Sequence, residues 1–179
     1  MRVSERQRLE VYIEQLQDTA ALNSAILAQY RAACDGDAVR RSHWFGGRYE
    51  NIYLEPAQVP ALAPLLAAAV AGARRFLGAA APALEARFWF NDMAPGQRTL
   101  PHDHDVADEL VSAVYYVRVP EDSGELVLEQ GPARTVVTPA AGRLVYFRPD
   151  VSHEVTQNRS AEHRLSIGMN FVPPQDDAT

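Results

Sequence analysis

The sequence predicts a mainly β protein of the α+β class, with N-terminal helices packed outside one closed sandwich or barrel. Three observations carry that expectation. Residues 1–83 show helical spacing of apolar residues and an alanine-rich run. Residues 84–172 instead break into short β-like runs bounded by Gly and Pro, with no helix-length interruption. Helices first and strands after favour segregated layers over an alternating parallel fold. In the closing run His163–Phe171, Arg164, Ser166, Gly168 and Asn170 alternate with Leu165, Ile167, Met169 and Phe171, which puts one polar and one apolar face on a single strand.

Taken in order, Ser4 and Gln7 form a capping-box pattern, and Leu9, Tyr12, Ile13 and Leu16 recur at helical spacing, so a helix is expected from Ser4. A further start at Asp18 or Asn23 leads into Ala25, Ile26, Ala28 and Tyr30, and Asp35-Gly36-Asp37 closes it. Gly46-Gly47 marks a loop or tight hairpin around His43, Trp44 and Phe45, with His43 read as structural or exposed. The alanine-rich run from Pro56 to Leu77 predicts a packing helix entered through Pro60 or Pro64 and closed at Gly78. Seven strands follow: Glu85–Asp92, Leu110–Val119, Glu125–Glu129, Thr135–Thr138, Arg143–Phe147, Ser152–Gln157 and His163–Phe171. Residues 173–179 read as a flexible tail, and no repeat or linker divides the chain, so residues 1–179 are expected to form one domain.

The whole-chain numbers exclude several classes. At 179 residues and 47% hydrophobic, the chain can bury a full core. Seventeen basic against 23 acidic residues give a net charge of −6, with no basic run to make a nucleic-acid patch. No apolar stretch reaches membrane-spanning length, and the polar N-terminus does not read as a signal peptide, so no membrane partner and a cytoplasmic location are expected. Cys34 is the single cysteine, which excludes an intramolecular disulfide and reads as an inert residue near a helix end. The composition leaves room for a homodimer.

Chemistry gathers in residues 96–105, read together with His153. On a strand, side chains at i and i+2 share a face, so His102 and His104 can offer two imidazoles to one metal ion. A closed β structure can fold His153 back onto that pair, giving a three-point metal site. Imidazole suits iron, zinc, copper or nickel, and three protein ligands leave positions open for substrate, water or oxygen. The run Glu85–Asp92 also alternates, with Arg87, Trp89 and Asn91 opposed to Phe88 and Phe90, as befits the lining of a wet cavity.

An ordered set of short motifs spans about half the chain: Trp89-Phe90-Asn91, His102-Asp103-His104, a strand from Ser112 to Tyr116, Pro120 to Gly124, Gly142 to Phe147, His153-Glu154-Val155, Arg164-Leu165-Ser166 and Asn170-Phe171. The set resembles the iron(II)- and 2-oxoglutarate-dependent oxygenases, and more closely a bacterial branch with a His-x-His motif. That resemblance implies a double-stranded β-helix, the cupin-like jelly roll, with helices on its outside. It implies Fe(II) as metal, 2-oxoglutarate as co-substrate and O2 as oxidant, with a small-molecule substrate hydroxylated while 2-oxoglutarate is decarboxylated to succinate. His102, His104 and His153 would then be metal ligands and catalytic residues. Arg164 and Ser166 would hold the far carboxylate of the co-substrate by a charge-assisted fork and one hydrogen bond. Trp89, Asn91 and Tyr116 would line the co-substrate or substrate pocket, with Tyr115 and Tyr116 alternatively plain core aromatics.

The chain departs from most of these oxygenases at His104, where His-x-Asp is usual. Either three histidines hold the metal, or a bulged loop lets Asp103 or Asp105 supply a carboxylate. The departure leaves two alternatives open. Gly96, His102, His104 and Glu109 nearly reproduce a first cupin motif, with His153 as the later histidine, which would make a metal enzyme that does not use 2-oxoglutarate. A barrel that has lost activity and serves in binding is the other. Asp105 and Glu109 read as solvated acids or as partners orienting an imidazole.

Overall fold

The computed structural model describes residues 9–36, 39–104 and 108–174. The capping-box pair Ser4 and Gln7, Asp37, Asp105 and residues 175–179 lie outside the described residues. The elements are β1 (Val11–Gln15), α1 (Ala20–Ala33), β2 (Arg40–Phe45), β3 (Arg48–Tyr53), α2 (Leu62–Leu77), β4 (Glu85–Met93), β5 (Thr99–His102), β6 (Val111–Arg118), β7 (Leu126–Gln130), β8 (Ala133–Val137), β9 (Arg143–Phe147), β10 (Ser152–Val155) and β11 (Arg164–Val172). A seven-stranded sheet runs β1-β9-β6-β11-β4-β3-β2, and a four-stranded sheet runs β5-β10-β7-β8. Every pairing is antiparallel. The architecture is the expected double-stranded β-helix with helices outside it.

The expected helix through Leu9, Tyr12, Ile13 and Leu16 is instead strand β1, paired with β9 from Val11↔Phe147 to Gln15↔Arg143. Val11, Tyr12 and Ile13 are β-branched or aromatic, and in so short a run the two periodicities cannot be told apart. Tertiary pairing settles it: Tyr12 stacks on Tyr146 at 5.6 Å. The first 83 residues are also less helical than expected, since β2 and β3 form a hairpin. Its turn is Gly46-Gly47 at φ 58° and 81°, the two left-handed residues that a tight two-residue turn requires. His43, at φ 59°, drops out of the ladder between Ser42↔Asn51 and Trp44↔Tyr49. The helices α1 and α2 and the later strands fall where the sequence predicted, within a few residues, except β5, which the sequence did not predict.

Two cores follow from the two faces of the large sheet. Leu165, Ile167, Met169 and Phe171 of β11 face α1 and α2, burying Ile26, Tyr30, Leu62 and Leu65 against the sheet. Gly72 lets α2 come close to β9, because a Cβ there would lie 2.0 Å from Tyr146 Oη. The other face meets the small sheet through Tyr116, Leu126, Leu128, Val145 and Phe147. The alternate residues of β11 (Ser166, Gly168, Asn170) open into a cavity at one end of this inter-sheet space. No helix among the described residues is long and apolar enough to cross a membrane.

Candidate metal centre and its pocket

Two strands of the small sheet build the histidine cluster. His153 of β10 lies directly opposite His102 of β5, so register alone places the two rings side by side, 4.2 Å between centroids and tilted by 52°. The chain leaves β5 after His102, and His104 is returned to the pair by its own N–H donating to the Pro149 carbonyl at 2.9 Å. Its ring stands 5.2 Å from His102 and 5.1 Å from His153. One nitrogen from each histidine lies within 4.8 Å of the others, close enough for one ion to touch all three. Asp103 is exposed and outside that group. Glu109, the fourth ligand of the cupin alternative, is outside it too and accepts from Asn170 Nδ2 at 3.2 Å.

The protonation pattern suits a metal. His102 Nδ1 lies 2.9 Å from the Leu100 carbonyl and His153 Nδ1 lies 3.1 Å from the Val151 carbonyl. A carbonyl only accepts, so each Nδ1 carries the proton and each Nε2 keeps its lone pair for the centre. Burial, and then the neighbouring His102, push His104 down to about 4 and His153 down to about 3, so both are neutral, ligand-competent imidazoles at pH 7.

The cavity beside the cluster holds about 60 Å³ of free volume, room for roughly four or five waters. Trp89, Asn91 and Ser166 line it, as the alternation of β4 and β11 predicted, and so do Glu50 and Ser112, which the sequence did not single out. Trp89 lies across β11 at Gly168, where a Cβ would sit 2.4 Å from the indole, and its ring is 5.5 Å from His104. Glycine at 168 is therefore a requirement of contact rather than of backbone angle.

Arg164 and Tyr116 stand deeper than the cavity wall. Arg164 is 1% exposed, and its Nη1 donates to the carbonyls of Ser123 and Gly124 at 3.2 and 2.7 Å. Its guanidinium lies 5.0 Å from the centre of the Tyr116 ring. Among the described residues no carboxylate pairs with it. Burial lowers the Arg164 pKa and raises that of Tyr116. The Tyr116 hydroxyl is buried without a partner, as is the Ser123 hydroxyl. Gly124, at φ 91°, holds this corner closed, because a Cβ would lie 2.3 Å from the Thr156 carbonyl oxygen. Tyr115, by contrast, is a core residue whose hydroxyl donates to Asn23 Oδ1 at 2.6 Å. His43 is exposed, bound to Ser42 and Asn51.

A buried cation without an anion among the described residues, beside an orphaned hydroxyl, fits a carboxylate; three imidazoles gathered within reach of one ion fit a divalent metal. Comparisons with known proteins agree. The sequence family described as the 2OG-Fe(II) oxygenase superfamily matches residues 88–172. No curated protein matches the chain in sequence. Among solved structures, a Pseudomonas putida prolyl-4-hydroxylase is 25% identical, with TM-score 0.68 over 93% of this chain and 94% of that one. An oxidoreductase of the 2OG-Fe(II) oxygenase family from Burkholderia pseudomallei is 22% identical, with TM-score 0.67 over 90% and 84%. The epimerase SnoN from nogalamycin biosynthesis is 18% identical, with TM-score 0.73 over 93% and 79%; it has also been solved with Fe3+ and α-ketoglutarate. The match over residues 88–172 and these neighbours support the 2OG-Fe(II) oxygenase superfamily for this chain, a family of oxidoreductases that use Fe(II), 2-oxoglutarate and O2.

Proposed function

We propose that the protein is a dioxygenase that hydroxylates a small-molecule or amino-acid-like substrate while 2-oxoglutarate is oxidatively decarboxylated to succinate. The observation that carries this reading is the pairing of two preformed features: three histidines with one nitrogen each within 4.8 Å of the others, and Arg164 buried with no carboxylate partner among the described residues. When bound, Fe(II) would supply the activation of O2 that the side chains cannot. His102, His104 and His153 would hold it.

Arg164 and Ser166 sit two apart on one face of β11, so a carboxylate can take a charge-assisted bond from the first and a hydroxyl bond from the second. Tyr116 Oη, buried and unpartnered, offers a third donor at the same corner. Trp89, clamped on Gly168 beside His104, walls the reacting end of the cavity against water. The small free volume admits only the reacting end of a substrate, with its remainder outside. The likeness to a Pseudomonas putida prolyl-4-hydroxylase supports an amino-acid-like acceptor.

Calorimetric titration of 2-oxoglutarate into anaerobic, iron(II)-loaded protein tests the reading. Binding that requires both metal and Arg164, judged with Arg164→Ala, is expected. Metal binding without any uptake of 2-oxoglutarate would overturn it.

A further inference from the structure

The pocket face of β11 is chemically polar along its length. Arg164 stands behind the wall at one end, Gly168 beside the histidine cluster in the middle, and Asn170 lines the other end. Asn170 lies directly opposite Ser112 of β6, and both line the cavity. The hydrogen bonds here run in one direction. Ser112 Oγ donates to Asn170 Oδ1 at 2.9 Å, and Asn170 Nδ2 donates to Glu109 Oε1 at 3.2 Å. The second oxygen of Glu109 is buried and has no partner among the described residues.

That direction decides what the cavity offers. The Ser112 proton is used on Asn170, so only the hydroxyl lone pairs remain for a ligand. Behind Asn170 stands a carboxylate with one oxygen unfilled, and a buried acceptor recovers its lost hydration only from a donor. The nearby cations do not neutralise it. Arg87, across β4 from Asn170, forms its ion pair with Asp108 at 3.2 Å. Arg48 is paired with Glu50, the other carboxylate of the wall, at 3.3 Å. The end of the cavity remote from Arg164 therefore presents acceptors and one uncompensated negative charge.

We propose that this end receives the primary substrate by an ammonium group, held at Ser112 and Asn170 and favoured by the charge of Glu109. The inference rests on the dioxygenase reading for what the cavity is, and it adds the class of substrate. Carboxylates are directed to Arg164 and cations to the opposite end, so co-substrate and substrate are sorted by charge along one strand. Glu109 is a positioning residue that acts through Asn170, while Ser112 makes the contact.

The test uses three probes of equal shape and different charge, n-butylammonium, 1-butanol and butyrate. They are followed by ligand-observed saturation-transfer NMR on the full chain loaded with diamagnetic Zn(II), with and without 2-oxoglutarate. Butylammonium is expected to bind at least tenfold more tightly than either of the others. Glu109→Gln should bring it within about twofold of butanol, and Ser112→Ala should weaken it several-fold, while 2-oxoglutarate affinity stays unchanged in both. With 2-oxoglutarate bound, so that Arg164 and the metal are taken, equal binding of the three probes by the unsubstituted protein, or a preference for butyrate, overturns the proposal whether or not the variants fold. So does undiminished ammonium binding by folded Glu109→Gln. If 2-oxoglutarate does not bind the zinc form, the dioxygenase reading fails, and the charge preference is still decided on the zinc form by butylammonium against 1-butanol.

Discussion

Acidification from pH 7.5 to 5.0 will destabilise the metal-free protein, and the histidine cluster sets the size of the effect. Burial and the neighbouring imidazole hold His104 at about 4 and His153 at about 3, against 6.5 in an unfolded chain. Above pH 6.5 both histidines are neutral folded or unfolded, so their contribution is fully present. Below 6.5 the unfolded chain takes up protons that the folded chain refuses, and stability falls until the folded values are reached. At pH 5.0 each histidine then disfavours folding by about 2 kcal/mol, so the pair, acting independently, removes about 4 kcal/mol. That is a large part of the total for a domain of this size. The assay is urea unfolding of chelator-treated protein, followed by tryptophan fluorescence, at the two pH values. The window stays above the usual carboxylate range, so acidic residues add little. His153→Gln removes one of the two titrations and should roughly halve the drop. A midpoint that stays flat or rises on acidification, or a drop that His153→Gln leaves unchanged, would refute the reasoning.

Three further outcomes are expected. Tyr116→Phe removes a buried hydroxyl that has no partner, so it should leave the ligand-free protein as stable or slightly more so, yet weaken 2-oxoglutarate roughly tenfold, as one hydrogen bond to a charged group predicts; urea unfolding and calorimetry separate the two effects. Gly168→Ala drives a methyl into the Trp89 indole and should cost about 1–3 kcal/mol while shifting Trp89 emission, whereas Ala substituted at the open Gly131 perturbs no such contact. Gly124→Ala combines a left-handed backbone with a 2.3 Å approach to the Thr156 carbonyl, and it should lower both stability and 2-oxoglutarate affinity, because the Gly124 carbonyl also anchors Arg164.

The parts of the fold legible in the sequence were those where a long strand faces two unlike environments. β11 and β4 alternate because one face meets helices and the other a cavity, and that difference is written into successive residues. β1 was not legible, since its five residues are too few to carry a period of their own, and its pairing with β9 is decided 128 to 136 residues away. β5 escaped for a related reason, being four residues long with Pro101 inside it. The histidine cluster was readable because His102 and His104 announce themselves locally and His153 needs only to return across one register position. The Ser112–Asn170–Glu109 network was not, because its meaning lies in which atom donates to which across three separate segments. Arg164 and Tyr116 were readable as residues, but not their depth behind the cavity wall, which depends on how Ser123 and Gly124 close over them.

The left-handed residue His43 bears on how an edge of the large sheet is kept from pairing with other chains in a crowded solution. β2 is the outermost strand of the large sheet, and an outermost strand offers unpaired amide and carbonyl groups as a template for a second chain. Trp44 and Tyr49, 64% and 43% exposed, would make such an encounter adhesive. A strand that turns through φ 59° at its third-from-last residue cannot present a straight ladder, and Arg40, stacked 3.9 Å above Tyr53, adds charge at the other end. The kink thus acts as a guard on the sheet's margin. Straightening it, as His43→Val would favour, is a change whose first sign should be fibrous or sheet-rich precipitate rather than lost catalysis.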